Sequence, residues 1–281
     1  MSNIKITCDR TADLSKDLIE TYNIDTIPFY INLDGKSYKD GIDIQPAEIF
    51  AYVERTEKLP KTAAVPVGDY ITFFSKFRDT YDAIIHINLG EKFSSSYQNA
   101  CIAAKEFSNV YIINSDNLST GTGHLVIEAC KMVNSGMKTE MIIKQVENLI
   151  PKVEASFVID TLDYLKMGGR CSALTAFSAN LLNIKPNIEV LNGKMEVGKK
   201  YRGKIDKSIY KYVTDRLKGR KDIITDRIFV THSGCSEELI SEVKQLIQQY
   251  QNFDEIIETT ASCTISCHCG PNTLGILFKT E

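Results

Sequence analysis

The stretch Phe93-Ser94-Ser95-Ser96-Tyr97-Gln98-Asn99-Ala100 holds the densest group of residues able to do chemistry in this chain. It follows an apolar run, 83–89, that reads as a buried strand. It opens a run in which Tyr97, Ala100, Cys101, Ala104 and Phe107 recur at helical spacing. Three hydroxyls are thereby expected at a helix N-terminus, where unpaired backbone N–H groups and the positive dipole end favour an anion. One serine would suffice as an N-cap, so three in a row point further, to an anion site. The chain has only four histidines, His86, His124, His232 and His268. His268 alone stands beside a turn, Cys269-Gly270-Pro271, at the expected exit of a strand, where a side chain can be presented into a cleft. Ser94, His268 and Asp9 could converge as nucleophile, base and orienting acid, although no Gly-x-Ser-x-Gly elbow is present.

Other motifs are weaker. No phosphate-binding loop ends in Gly-Lys-Ser/Thr, and Gly121-Thr122-Gly123 lacks the third glycine of a dinucleotide fingerprint because position 126 is Val. Cys263, Cys267, His268 and Cys269 suggest zinc. Read as a strand, 263–269 puts the three thiols on one face and His268 on the other, and no second Cys/His pair stands nearby. No metal and no cofactor is therefore expected.

The elements that must position these residues alternate in the first half. Strands are expected near 4–8, 26–33, 83–89 and 110–113, and helices near 15–22, 46–55, 68–77, 97–107, 121–134 and 138–149. Such alternation implies βαβ units and a parallel sheet covered on both faces, with Asp9, the serine run and Ser115-Asp116 at the carboxyl ends of its strands. Near Pro151 the pattern changes. A strand at 155–160, a helix at 164–170 ended by glycine and an apolar segment at 173–184 come next. A hairpin turning on Asn192-Gly193 follows, then helices near 204–218 and 236–250 and strands near 227–232, 255–260 and 263–269. The fold class is α/β in two domains. Residues 1–153 form a parallel-sheet α/β/α domain, and 154–281 a mixed α+β domain with an antiparallel element the first half lacks.

Composition excludes several functions. The chain has 281 residues, 43% hydrophobic and 25% charged, with a net charge of −3, so it has a substantial core and no general attraction for nucleic acid or anionic membrane. The basic run Lys199-Lys200-Tyr201-Arg202-Gly203-Lys204 is the ordinary pattern of a solvated face. No signal-peptide pattern and no stretch long enough to span a bilayer is evident, and the eight cysteines are mostly scattered, so a cytoplasmic location is expected.

Several segments also match one family in order. They are Asp9-Arg10-Thr11-Ala12-Asp13-Leu14, Thr62-Ala63-Ala64-Val65-Pro66, the serine run, Asn114-Ser115-Asp116 and Leu162-Asp163-Tyr164-Leu165-Lys166-Met167-Gly168-Gly169-Arg170. Lys185-Pro186, Lys200-Tyr201-Arg202-Gly203-Lys204 and His268-Cys269-Gly270-Pro271 complete the series. Together they resemble the DegV family, the bacterial fatty-acid-binding proteins that act as the lipid-carrying subunit of fatty acid kinase. The resemblance implies one fatty acid held between two domains, its acyl chain in an apolar tunnel. Thr62, Ser94 and His268 match the family's carboxylate ligands, with Asp9, Ala63, Ser95, Ser96 and Gly270 as supporting positions. Two hydroxyls and an imidazole N–H are chemically suited to that task. Ala173, Leu174, Ala176, Phe177, Leu181, Leu182 and Ile184 are candidates for the tunnel wall, or for plain core. In the family a separate ATP-dependent kinase phosphorylates the presented carboxylate to an acyl phosphate. Arg170 and Arg202 match arginines facing that kinase, or are simply exposed arginines in turns. The sequence departs from the usual pattern at Arg10, at Ala63 after Thr62, and at Ser95-Ser96, where Gly-Thr is common. A serine acyl-hydrolase using Ser94 and His268, and a lipid-bound regulatory protein, are the alternatives.

Overall fold

Strands β1 (Ile4–Asp9) and β6 (Ala83–Asn88) are buried along their whole length, as expected of a parallel sheet covered on both faces. A computed structural model describes residues 3–171 and 184–281. After β1 come α1 (Lys16–Thr21), β2 (Asp25–Ile27), β3 (Tyr30–Leu33), β4 (Lys36–Lys39), α2 (Pro46–Thr56), β5 (Lys61–Ala63) and α3 (Val67–Ser75). β6 leads to α4 (Ser96–Ala104), β7 (Val110–Asn114), α5 (Ser119–Asn134), α6 (Thr139–Leu149), β8 (Val153–Val158) and α7 (Asp163–Gly168). Then follow β9 (Ile184–Leu191), β10 (Lys194–Arg202), α8 (Ile205–Leu217), β11 (Ile223–Ser233), α9 (Glu237–Tyr250), β12 (Glu255–Thr260), α10 (Cys263–Cys269) and β13 (Thr273–Thr280).

Two main sheets result. The first, in the order β2-β1-β6-β7, is parallel throughout. The second, β10-β9-β8-β13-β11-β12, is antiparallel except for the β11–β12 pair. Helix α5 packs on β1 and β6 of one sheet and on β8, β11 and β13 of the other, so it is buried on most sides. That position explains its small residues: a side chain on Gly121 would stand 2.0 Å from Asn117 Oδ1. Gly121-Thr122-Gly123 is thus a packing motif. Helices α8 and α9 share a separate apolar cluster with the mixed sheet, built around Ile228, Val230, Ile276 and Phe278. The hairpin β9–β10 turns where expected, with Asn192 and Gly193 both at positive φ.

The sequence expectations fail in three places. The strand expected over 26–33 is two strands in two sheets, parted at Pro28-Phe29, because proline has no N–H to donate to a ladder. β3 belongs to a small antiparallel sheet, β4-β3-β5, so the first half does contain an antiparallel element. Residues 263–269 form a helix, not a strand, and the last strand lies further on, over Thr273–Thr280. The cause of that helix is tertiary. Ser262 Oγ accepts from Ile265 N (3.4 Å), and Asp40 takes Cys263 N and Thr264 N (both 2.8 Å). Asp13 accepts from Ser262 N (2.9 Å). Two carboxylates from the first half thus satisfy the free N–H groups of a helix from the second. On α10, Cys263 and Cys267 are one turn apart and pack against Ile31, Ile44 and Ile49, as small apolar groups. Among the described residues no group of three or more His, Cys, Asp or Glu side chains is placed to hold a metal ion, and no helix is long and apolar enough to cross a membrane.

Candidate functional site

A cavity of about 150 Å³ opens between the turn after β6, strand β5, helix α10 and the inner face of the mixed sheet. Its wall is largely apolar: Phe29, Leu89, Phe93, Phe157, Met195 and Leu277 contribute from five different segments. Thr62, Ser94, Ser95, His268 and Arg170 form a polar end.

Each of these groups is held by its element. Thr62 stands in β5 opposite Ile31, and its Oγ1 lies 3.0 Å from His268 Nε2, at the last turn of α10. Ser94 Oγ accepts from Ser96 N (3.1 Å), closing the turn that starts α4. Its own proton has no protein acceptor among the described hydrogen bonds, so it is free to point into the cavity. Arg170 donates through Nη1 to Gly168 O (2.6 Å) and through Nε to Phe93 O (3.4 Å), tying α7 to the serine turn. It is the only Lys or Arg side chain among the described lining residues. Burial, and secondarily the Arg170 charge, push the His268 pKa down to about 4, so the ring is neutral at physiological pH.

A buried clamp fixes the turn from behind. Asp9, wholly buried, accepts from Leu89 N (2.8 Å), Asn88 Nδ2 (3.1 Å) and the Tyr70 hydroxyl (2.7 Å). With its proton committed to Asp9, the Tyr70 oxygen accepts from Ser96 Oγ, 2.8 Å away, and from Asn88 Nδ2 at 2.8 Å. The segment 89–96 is therefore pinned at both ends to one carboxylate. Nothing in the sequence pattern picks out Tyr70, but Asn88, a polar residue ending an apolar strand, is a readable signal.

Hydroxyls also occur elsewhere in the lining, and these are all engaged. Thr231 Oγ1 lies 2.6 Å from Thr120 Oγ1 and 2.8 Å from Thr259 Oγ1. Ser233 Oγ donates to Ser266 Oγ (3.0 Å), Thr264 Oγ1 to Asp40 (2.6 Å), Thr273 Oγ1 to Cys269 O (2.8 Å) and Ser119 Oγ to Asp13 (2.5 Å).

The family model described as uncharacterised DegV family proteins matches residues 3–281 of this chain. The chain belongs to the DegV family. A DegV domain-containing protein of Caldanaerobacter subterraneus subsp. tengcongensis is 33% identical over 282 residues, covering 99% of both chains. Among solved structures, a DegV family protein from Thermus thermophilus, described as fatty acid binding, superposes with a TM-score of 0.90 at 28% identity, covering 99% of this chain and 100% of that one. DegV of Bacillus subtilis, described as a fatty acid binding protein, gives 0.85 at 25% identity with full coverage of both chains.

Within this DegV fold the sequence candidates separate. Thr62, Ser94, Ser95, His268 and Arg170 share the cavity. Asp9 and Ser96 are buried behind it in the clamp, and Ser95 holds the N-cap position of α4 without a side-chain cap bond. Ala63 pairs with Tyr30 and does not line the cavity, where its neighbour Ala64 does. Gly270, at φ +76, lies behind the Tyr164 ring. Arg202 ends β10 opposite Ile184, exposed and outside the lining, and Ile184 is likewise not a lining residue. Ala173, Leu174, Ala176, Phe177, Leu181 and Leu182 lie outside the described residues. A Ser94–His268–Asp9 triad is not assembled. His268 Nε2 is on Thr62, Ser94 has no base among its described hydrogen bonds, and the imidazole nearest Asp9 is His86, at 3.4 Å.

Proposed function

We propose that this chain binds one long-chain fatty acid, with its carboxylate at Thr62 and Ser94 beside Arg170, His268 backing Thr62, and its acyl chain along the apolar wall. The observation that carries the reading is the gathering of Thr62, Ser94 and Arg170, each with donor capacity to spare, around His268 in a cavity whose wall is largely apolar. A carboxylate needs donors and favours nearby positive charge, which Ser94, Thr62 and Arg170 supply. Each buried CH₂ adds about 0.8 kcal/mol, so a long tail supplies most of the affinity. The Thermus thermophilus and Bacillus subtilis relatives, described as fatty acid binding, support the same ligand class. The ligand would sit between two domains, 1–153 and 154–281, since the lining comes from both.

The chain then acts as a carrier, presenting the carboxylate to a separate ATP-dependent fatty acid kinase for conversion to an acyl phosphate. Arg170, exposed at the rim, faces that partner, and Arg202 is a second contact. Organic extraction of the purified protein followed by mass spectrometry tests the binding. A stoichiometric long-chain acid is expected; no acyl chain and no thermal shift with added acids would sink it. Acyl-phosphate formation by such a kinase, lost in Arg170→Ala, tests the presentation role. A fluorophosphonate probe is expected to leave Ser94 unlabelled, because no general base is in line with it.

A further inference from the structure

Gly168 and Gly169 end α7 side by side and are required for different reasons. Gly169 is in the left-handed region, φ +70, with nothing within 4 Å of the place a side chain would take, so there the backbone angle is what glycine supplies. Gly168 has no such angle. A Cβ on it would stand 2.3 Å from His268 Nδ1 and 3.2 Å from Cε1. Helices α7 and α10 therefore meet with glycine backbone laid against one edge of the imidazole.

That edge carries Nδ1, which is buried and has no hydrogen-bond partner. The other ring nitrogen, Nε2, lies 3.0 Å from Thr62 Oγ1. A neutral imidazole has one N–H to place. On Nδ1 it would be a buried donor facing a CH₂ group, which forfeits a whole hydrogen bond. On Nε2 it meets the threonine oxygen.

We infer that Gly168 is a positioning residue. By admitting α7 onto the Nδ1 edge it holds His268 as the Nε2–H tautomer, so that His268 donates to Thr62 and Thr62 turns its own proton toward the ligand. The inference rests on the reading of the polar end as a carboxylate site. The tautomer decides the sign of that contact. With the proton on Nδ1, Nε2 would take the Thr62 proton, and the threonine would present lone pairs to a carboxylate. His268 thus acts through Thr62. The depressed pKa of His268 agrees, since a doubly protonated ring would leave an N–H unpaired against Gly168.

Nitrogen NMR of histidine-labelled protein, with fatty-acid titration of wild type, Gly168→Ala and Gly169→Ala, tests this. Wild type is expected to show His268 as the Nε2–H tautomer before any ligand is added. Gly168→Ala is expected to shift the His268 ring resonances and weaken a long-chain acid by about tenfold, the scale of one lost hydrogen bond. The methyl ester of the same acid should be affected less. Gly169→Ala is expected to lower Tm while leaving tautomer and acid-over-ester preference as in wild type. A wild-type Nδ1–H tautomer overturns the inference, as does Gly168→Ala with wild-type resonances and affinity. If Gly168→Ala does not fold, the wild-type spectrum decides alone. A wild type that binds no acid refutes the binding reading, while its ligand-free spectrum still reports the tautomer.

Discussion

At one end of the cavity the Ser94 hydroxyl and the Thr62–His268 pair keep donor capacity that no protein group consumes. Elsewhere in the lining, Thr231, Ser233, Thr264, Thr273 and Ser119 present the same functional group with every hydroxyl already engaged. The two sets are alike in residue type and opposite in chemistry. A hydroxyl lining a cavity therefore says little about polarity until its partner is known. An engaged threonine shows a methyl to the lumen, and a free one shows a donor.

The contrast can be broken most directly by double substitution at the open end. Thr62→Ala with Ser94→Ala is expected to weaken a long-chain acid by more than about a hundredfold, since hydrogen bonds to a charged group carry roughly 1.5–3 kcal/mol each. Displacement of a fluorescent fatty acid measures it, and an equal loss on Thr231→Val would dissolve the distinction. Tyr70→Phe tests the clamp. It strips Asp9 of a donor and should cost about 1–3 kcal/mol of stability in urea unfolding, with a smaller loss of affinity. Thr231→Val should cost about 1 kcal/mol of stability and leave affinity within about threefold. An affinity loss matching the head-end variants would show that this hydroxyl serves the ligand after all.

The smallest expected effect is on pH dependence. Burial holds the His268 pKa at about 4 and that of His124 at about 3, against 6.5 when exposed. The unfolded chain takes up those protons first, so both residues cost stability as pH falls below about 6.5. Burial raises Asp13 to about 7 from 3.8, so the folded chain keeps a proton the unfolded one has lost, and Asp13 opposes the histidines between about pH 4 and 7. Stability should therefore fall on acidification more steeply in Asp13→Asn than in wild type. Urea midpoints from pH 7 to 4.5 measure this, and parallel curves would contradict it.

Local signals marked the strand–turn–helix around Ser94 and the Asn192-Gly193 hairpin, because both depend on residues adjacent in sequence. Helix α10 was hidden for the opposite reason. Cys263-Thr264-Ile265-Ser266-Cys267 is rich in residues of low helix propensity, and Asp13 and Asp40, which cap it, lie more than 220 positions away. Misreading that segment as the last strand also concealed the run Thr273–Thr280. In the site, Ser94 and His268 were marked by their own sequence context and Thr62 by the family resemblance alone, whereas the clamp through Tyr70 is visible only once β1, α3 and β6 are assembled.

The capping of α10 by Asp13 and Asp40 has a consequence for how the chain is made. Synthesis proceeds from the N-terminus, so the parallel sheet and its two acids are available long before residues 262–269 leave the ribosome. Until then both carboxylates lack their final N–H partners, and Thr62 lacks its imidazole. A nascent chain therefore lacks the Thr62–His268 pair until α10 has emerged and docked on the first half.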